Sequence, residues 1–179
     1  QTATGGLFAM TTASAADITV ASAQTFSGTN GLTLISTGNI AFNANVAVSG
    51  SGTVDLVTGA GDDYSLNGHT IDFGSTNNSA SLTINGTSYG LIYNATDLAN
   101  VNASDTALQG SYALATNVDL NGVTWTALGT NGTGTVSNSG NGFTGTFAGL
   151  GHTVSNLTIT SSSGHQGLFG FAGTGSILR

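Results

Sequence analysis

The chain has 179 residues, with one Lys or Arg, eight Asp, no Glu and a formal net charge of −7. It therefore offers no clustered cations to neutralise nucleic-acid phosphates or an anionic membrane surface. It also has no cysteine and no proline, which excludes disulfides, thiolate metal sites and thiol nucleophiles.

Gly, Thr, Ser and Asn together make up 94 of the 179 residues. That bias calls for short strands and turns. Leu, Ile, Val and Phe still supply 42 residues, above the roughly 20% share below which chains stay disordered. No apolar run approaches the roughly 18 residues of a membrane span. The stretch Leu7–Ala16 ends in small residues but lacks the basic start and long apolar run of a signal peptide.

From residue 18 onward the apolar residues come two apart. Ile18/Val20, Leu32/Leu34, Ile40/Phe42, Val46/Val48, Val54/Leu56, Ile71/Phe73 and Leu82/Ile84 each put both members on one face of a strand. Six Asn-Gly steps fall between or after these pairs: Asn30-Gly31, Asn67-Gly68, Asn85-Gly86, Asn121-Gly122, Asn131-Gly132 and Asn141-Gly142. Asn-Gly between apolar alternations is a hairpin signal, so a sandwich or barrel of hairpins is one reading.

A parallel β-helix, with short strands turning corners through the same residue types, is the other. The brevity of the strand pairs, outward Thr, Ser and Asn in place of charges, and the lack of proline favour the β-helix. A repeated turn agrees with stacking, since Gly68-His69-Thr70-Ile71 returns as Gly151-His152-Thr153-Val154. Between Asn94 and Gln109 the texture changes. Ala95, Leu98, Ala99 and Val101 have helical spacing, and Asn94 is placed to cap them.

The second half carries a more specific pattern. Phe143, Gly145, Phe147, Gly149, Gly151-His152, Val154, Asn156-Leu157 and Ile159 are followed by Gly167-Leu168-Phe169-Gly170 and Gly175-Ser176-Ile177-Leu178. This resembles the GLUG repeat of large bacterial surface proteins. Upstream, Tyr112, Leu114, Val118-Asp119-Leu120, Trp125 and Leu128-Gly129 are similar to the segment preceding such repeats in filamentous haemagglutinin-like adhesins. Ala148 and Ala127 depart from the pattern, which often has aspartate and proline there.

The resemblance implies an all-β fold, a right-handed parallel β-helix with at most one short helix. It also implies export by a two-partner or autotransporter route through an outer-membrane secretion pore. The expected role is a non-catalytic stalk for attachment or display at the bacterial cell surface. The expected organisation is stem coils over 1–93, a short helical or loop insertion over 94–110, and GLUG-like coils over 111–179 that continue in a longer parent. Each coil takes about 22 residues. Expected partners are host or surface glycans or proteins and neighbouring coils or subunits, contacted through lateral loops around Thr130–Gly142 and Ser161–Gln166. Nucleic acid and membrane insertion are not expected. A self-assembling extracellular filament subunit is the alternative, because a bare coil edge at Leu178-Arg179 invites end-to-end pairing.

Residues with chemistry of their own are few, and no catalytic, cofactor-binding or metal-binding residue is assigned. His69 and His152 share the repeated Gly-His-Thr turn, where a ring nitrogen bonding a neighbouring coil's backbone suits them better than general-base catalysis. His165 sits in a Ser/Gly loop. Asp62-Asp63 is the one adjacent carboxylate pair, too little for polysaccharide cleavage without further acids or a base.

Gly59-Ala60-Gly61-Asp62-Asp63 matches half of a glycine-aspartate calcium repeat, short of the six to eight oxygens that calcium takes. Sequons begin at Asn77, Asn85, Asn94, Asn102, Asn131 and Asn156, about the number that chance gives. Thr-x-Thr recurs at Thr124/Thr126, Thr133/Thr135, Thr144/Thr146 and Thr158/Thr160. Those offsets are too irregular for a flat array against an ice lattice.

Overall fold

The computed structural model describes residues 8–11, 17–161 and 164–179, and its chain divides into two compact units, residues 1–89 and 90–179. It is a β protein with one short α-helix among the described residues. No helix there is long and apolar enough to cross a membrane. Of the Leu7–Ala16 stretch, only Phe8–Thr11 lies within the described residues.

The first unit holds β1 (Phe8–Thr11), β2 (Ile18–Val20), β3 (Gln24–Gly28), β4 (Leu32–Ile35), β5 (Ile40–Phe42), β6 (Val46–Gly50), β7 (Thr53–Val57), β8 (Tyr64–Ser65), β9 (Ile71–Asp72) and β10 (Ser81–Ile84). Each of β1 to β7 pairs in parallel with the strand three places later. The chain thus visits three sheets in rotation: β1-β4-β7-β10, β2-β5-β8 and β3-β6-β9.

Register partners are Ile18 with Ile40, Gln24 with Val46 and Leu32 with Val54, all 22 residues apart. The next step widens. Ile40 faces Tyr64, Val46 faces Ile71 and Val54 faces Leu82, because the turn holding Asp62-Asp63 and the loop after Phe73 add residues between the strands.

The alternating pairs explain the core. Strands β5, β6 and β7 bury every second residue, and Leu34, Ile40, Phe42, Val46, Val54, Leu56 and Ile71 have no measurable exposure. Parallel register stacks like on like, so Leu32 lies beside Val54 and Val54 beside Leu82, while Leu34 lies beside Leu56 and Leu56 beside Ile84. Each such side chain contributes about 1.5–3 kcal/mol by leaving water.

Outward polar residues also pair between neighbouring strands. Thr53 and Ser81 share a hydroxyl hydrogen bond of 2.8 Å, and the Asn67 amide donates to Asn43 at 2.8 Å.

Asn85-Gly86 does form a hairpin. It joins β10 to the first half of β11 (Thr87–Ile92), with Leu82 opposite Tyr89 and Ile84 opposite Thr87. Asn30-Gly31 and Asn67-Gly68 instead link strands of different sheets, where the same turn residues serve as corners.

In the second unit Gly90–Ile92 of β11 pairs in parallel with β12 (Ser111–Leu114). Between them runs α1 (Ala95–Asn100), capped by the Asn94 side chain, which accepts the Asp97 N–H. The cap and the buried Leu98 match the sequence signal at that place. β12 continues to β14 (Thr146–Ala148) and β14 to β16 (Ile177–Leu178), while β13 (Val118–Asp119) pairs with β15 (Val154–Ser155), all in parallel.

The core of this unit gathers Ile92, Leu98, Leu114, Leu128, Phe143 and Phe147. The Phe169 ring closes it at 5.1 Å from Phe143 and 5.3 Å from Phe147, within the range of favourable tilted aromatic pairs. These three rings belong to the GLUG-like pattern.

Tyr93 is buried, and its hydroxyl has no hydrogen-bond partner among the described residues. Burial, reinforced by the nearby Asp97 carboxylate, pushes its ionisation above the ordinary tyrosine range. Removing an unpaired buried hydroxyl costs no hydrogen bond. Tyr93→Phe is therefore expected to leave stability unchanged or raise it by up to about 1 kcal/mol in urea unfolding.

Candidate functional site

The repeated Gly-His-Thr turn is built by the same contacts in both units. The Asn45 side-chain oxygen accepts the Thr70 N–H at 3.1 Å and lies 3.2 Å from His69 Nδ1, while Val46 N–H donates to Thr70 oxygen. In the second unit the Asn117 oxygen accepts the Thr153 N–H at 2.9 Å, and Val118 N–H donates to Thr153 oxygen. Among the described residues the hydrogen-bond partner of the His69 ring is thus an asparagine side chain of the neighbouring strand's corner. The turns lock one strand to the next. His165 is exposed, its ring edge-on to Phe171 at 5.6 Å.

Asp62 and Asp63 do not converge on a common site. Asp62 N–H closes a turn onto Gly59, and the Asp63 carboxylate accepts the Tyr64 N–H at 2.9 Å. No group of three metal-ligating side chains occurs among the described residues. The Thr-x-Thr pairs lie in unlike surroundings. Thr146 stands in β14, whereas Thr133 and Thr135 turn inward on Asn131, whose side-chain oxygen accepts both N–H groups and the Thr133 hydroxyl.

The second unit offers two features suited to recognition. One is a groove between α1 and the chain after β13, lined by Asn100, Asn102, Ala103, Val123, Thr124 and Thr126 over the mostly buried Trp125. No lining residue is ionisable. The groove therefore presents amides and hydroxyls that bind neutral polar groups, and it has nothing to move a proton. Asn102 shapes its floor: its amide donates to Thr130 oxygen at 2.7 Å and its oxygen accepts the Gly129 N–H at 3.0 Å.

The other feature is the loop Thr130–Gly142. At its far end Asn138, Ser139 and Gly140 wind left-handed, with φ of 55°, 53° and 87°. Left-handed backbone costs a non-glycine residue about 1–2 kcal/mol. Here it is enforced by the buried Asn138, whose amide donates to Gly142 oxygen at 3.0 Å and whose N–H donates to the Asp105 carboxylate at 2.9 Å. Ser139 is left exposed at the tip.

The sequence placed a lateral loop here but gave no hint of the buried asparagine. The one available signal was the run Asn138-Ser139-Gly140, residue types that tolerate left-handed turns. Ser139→Gly is expected to stabilise the chain by about 1 kcal/mol in denaturant unfolding, as the β-carbon strain disappears. The second expected loop, Ser161–Gln166, includes residues 162–163, which lie outside the described residues.

One carboxylate is electrostatically distinct. Asp119 accepts the Asn156 amide at 2.8 Å and the Asn121 N–H at 2.9 Å. The Asn156 bond first, then the backbone bond, holds its ionisation below the usual aspartate range. A carboxyl depressed in the folded state stabilises at pH above its unfolded value of about 3.9 and loses that stabilisation as pH falls through the folded value. The melting temperature of the native chain should therefore fall further than that of Asp119→Asn between neutral pH and about pH 3, measured by thermal scans.

Comparison with known proteins returned no family model, no curated protein and no solved structure that matches this chain.

Proposed function

We propose that the chain is a non-catalytic segment of a secreted or cell-surface bacterial adhesin. In this reading it is a right-handed parallel β-helix serving as an extended stalk for attachment or display. The observation that carries the reading is the rotation of consecutive strands through three parallel sheets at offsets of 22 to 28 residues, with buried apolar residues stacked from strand to strand. Chains built this way add stability with each turn, because every turn covers the apolar face of the last. Such a design suits a structure meant to extend and resist force.

Two further features support the assignment. The GLUG-like residues supply the aromatic cluster of the second unit. The groove beside α1 and the exposed loop tip at Ser139 are uncharged and rich in hydrogen-bonding groups. That chemistry fits glycans or neutral protein surfaces as partners, with an outer-membrane pore needed only during export.

Antibodies raised against this chain should label intact cells of the source bacterium. Labelling that appears only after lysis would overturn the surface assignment. The alternative is a self-assembling extracellular filament subunit. It calls for concentration-dependent assembly of the isolated chain in sedimentation, whereas the stalk reading calls for a single non-associating species.

A further inference from the structure

We propose that Asn121-Gly122 is a modification site, the one Asn-Gly step at which the folded chain deamidates and forms isoaspartate. The reaction needs two free groups. The backbone nitrogen of the glycine must be unengaged, and the asparagine side chain must be able to swing onto it. Six steps have the right sequence, and the fold treats them differently.

Five of them are held. Gly31 is buried so close to the neighbouring strand that a β-carbon there would overlap the Thr53 backbone. Asn67 is fixed in a left-handed turn with φ of 50° and donates its amide to Asn43 at 2.8 Å. The Asn85 oxygen accepts the Thr58 N–H at 2.8 Å and its amide donates to the Thr58 hydroxyl at 3.0 Å. The Asn131 oxygen takes three hydrogen bonds from Thr133 and Thr135, and Gly132 N–H donates to the Thr130 hydroxyl at 3.3 Å. Asn141 donates its amide to Asn138 oxygen at 3.0 Å, and the Gly142 N–H, which would have to attack, is bonded to Ser137 oxygen at 3.0 Å.

Asn121 is the exception. It is exposed, and its side chain makes no hydrogen bond among the described residues. Gly122 is exposed too, with φ of 75°, open space around its α-carbon and no partner for its N–H among the described residues. The two residues form the tip of a turn closed by Val123 N–H donating to Leu120 oxygen at 3.0 Å.

In the reaction, Gly122 nitrogen bonds to Asn121 Cγ and the Cγ–Nδ2 bond breaks. Ammonia leaves, taking the proton of the Gly122 amide. Water then opens the resulting ring at either carbonyl, giving aspartate or isoaspartate with a new carboxylate. That charge appears two residues from Asp119, whose carboxylate accepts both the Asn121 N–H and the Asn156 amide. Like charges so close weaken each other's hydrogen bonds. Modification therefore loosens the tie from β13 to the Asn156 turn that follows β15.

The test is ageing of the intact chain in mildly alkaline buffer, folded and in denaturant. The chain is then cut with a protease that cleaves before aspartate, since no internal Lys or Arg exists for trypsin. Conversion at each Asn-Gly step is read by mass and by isoaspartate-specific fragmentation. In the folded chain Asn121 should react at least about tenfold faster than any other step, the factor that one ordinary net hydrogen bond imposes. In denaturant the six should react at comparable rates. Asn121→Gln should abolish the fast conversion while leaving the circular dichroism spectrum unchanged. The proposal is overturned if another step leads in the folded chain, if the folded and denatured orders agree, or if no folded-state conversion occurs.

Discussion

Phe42→Ala is expected to cost about 3–5 kcal/mol, read as a drop in the urea midpoint at unchanged slope. Phe42 has no measurable exposure, and it lies in β5 in register with Val20 of β2. Its interior is walled by strands of three sheets whose backbone ladders cannot shift without breaking. A cavity there closes poorly, and poorly closing cavities sit at the costly end of large-to-small substitutions. The same truncation on the outward face is the control. Ile35, 37% exposed at the end of β4, should lose less than about 1 kcal/mol as Ile35→Ala. Equal losses at the two positions would mean that the interior is not packed as described.

Gly31→Ala is expected to cost about 3 kcal/mol, the upper end of the usual overpacking range. A β-carbon at Gly31 would overlap the Thr53 carbonyl oxygen and sit 2.7 Å from Thr53 nitrogen. Thr53 is 22 residues on and opens β7, the neighbour of β4. The obstacle is backbone held in a ladder, which cannot rotate aside as a side chain would. A β-carbon at Gly52 would likewise overlap Asn30 oxygen, so the two glycines mark a corner where adjacent passes of the chain come close. Gly61→Ala serves as comparison. Its surroundings are open, and only the φ of 86° opposes a side chain, so about 1–2 kcal/mol is expected there. Thermal or urea unfolding of both variants checks the order.

Much of this fold is legible in the sequence. Ile18/Val20, Leu32/Leu34, Ile40/Phe42, Val46/Val48, Val54/Leu56 and Leu82/Ile84 are all buried pairs within strands. A period of two is fixed by backbone geometry and survives any topology. Asn94 was legible as a cap for the same reason, being a local contact three residues long.

The Asn-Gly steps were less informative, because a left-handed corner between sheets and a hairpin turn ask for the same residues. Only the partner strand distinguishes Asn85-Gly86 from Asn67-Gly68. The asparagines that complete the Gly-His-Thr turns are not legible in the sequence. Asn45 is 25 residues from Thr70, and Asn117 is 36 from Thr153. A single sequence gives no fixed offset by which to join them. The groove beside α1 and the strained tip at Ser139 were hidden likewise, since both depend on how insertions between strands fold back.

The most direct test of the stacked parallel register is a cysteine cross-link, made clean by a chain that has no cysteine of its own. Thr25 of β3 faces Ala47 of β6 across the ladder, both on the outward side. Adjacent parallel strands put such partners about 4.8 Å apart, within the span a disulfide accepts. Thr25→Cys with Ala47→Cys should oxidise to an intramolecular disulfide under mild conditions. Thr25→Cys with Ser49→Cys, two residues out of register on the same face, should stay reduced. A cross-link that favours Ser49, or that joins both pairs equally, would contradict the 22-residue register of β3 and β6 and, with it, the proposed stalk.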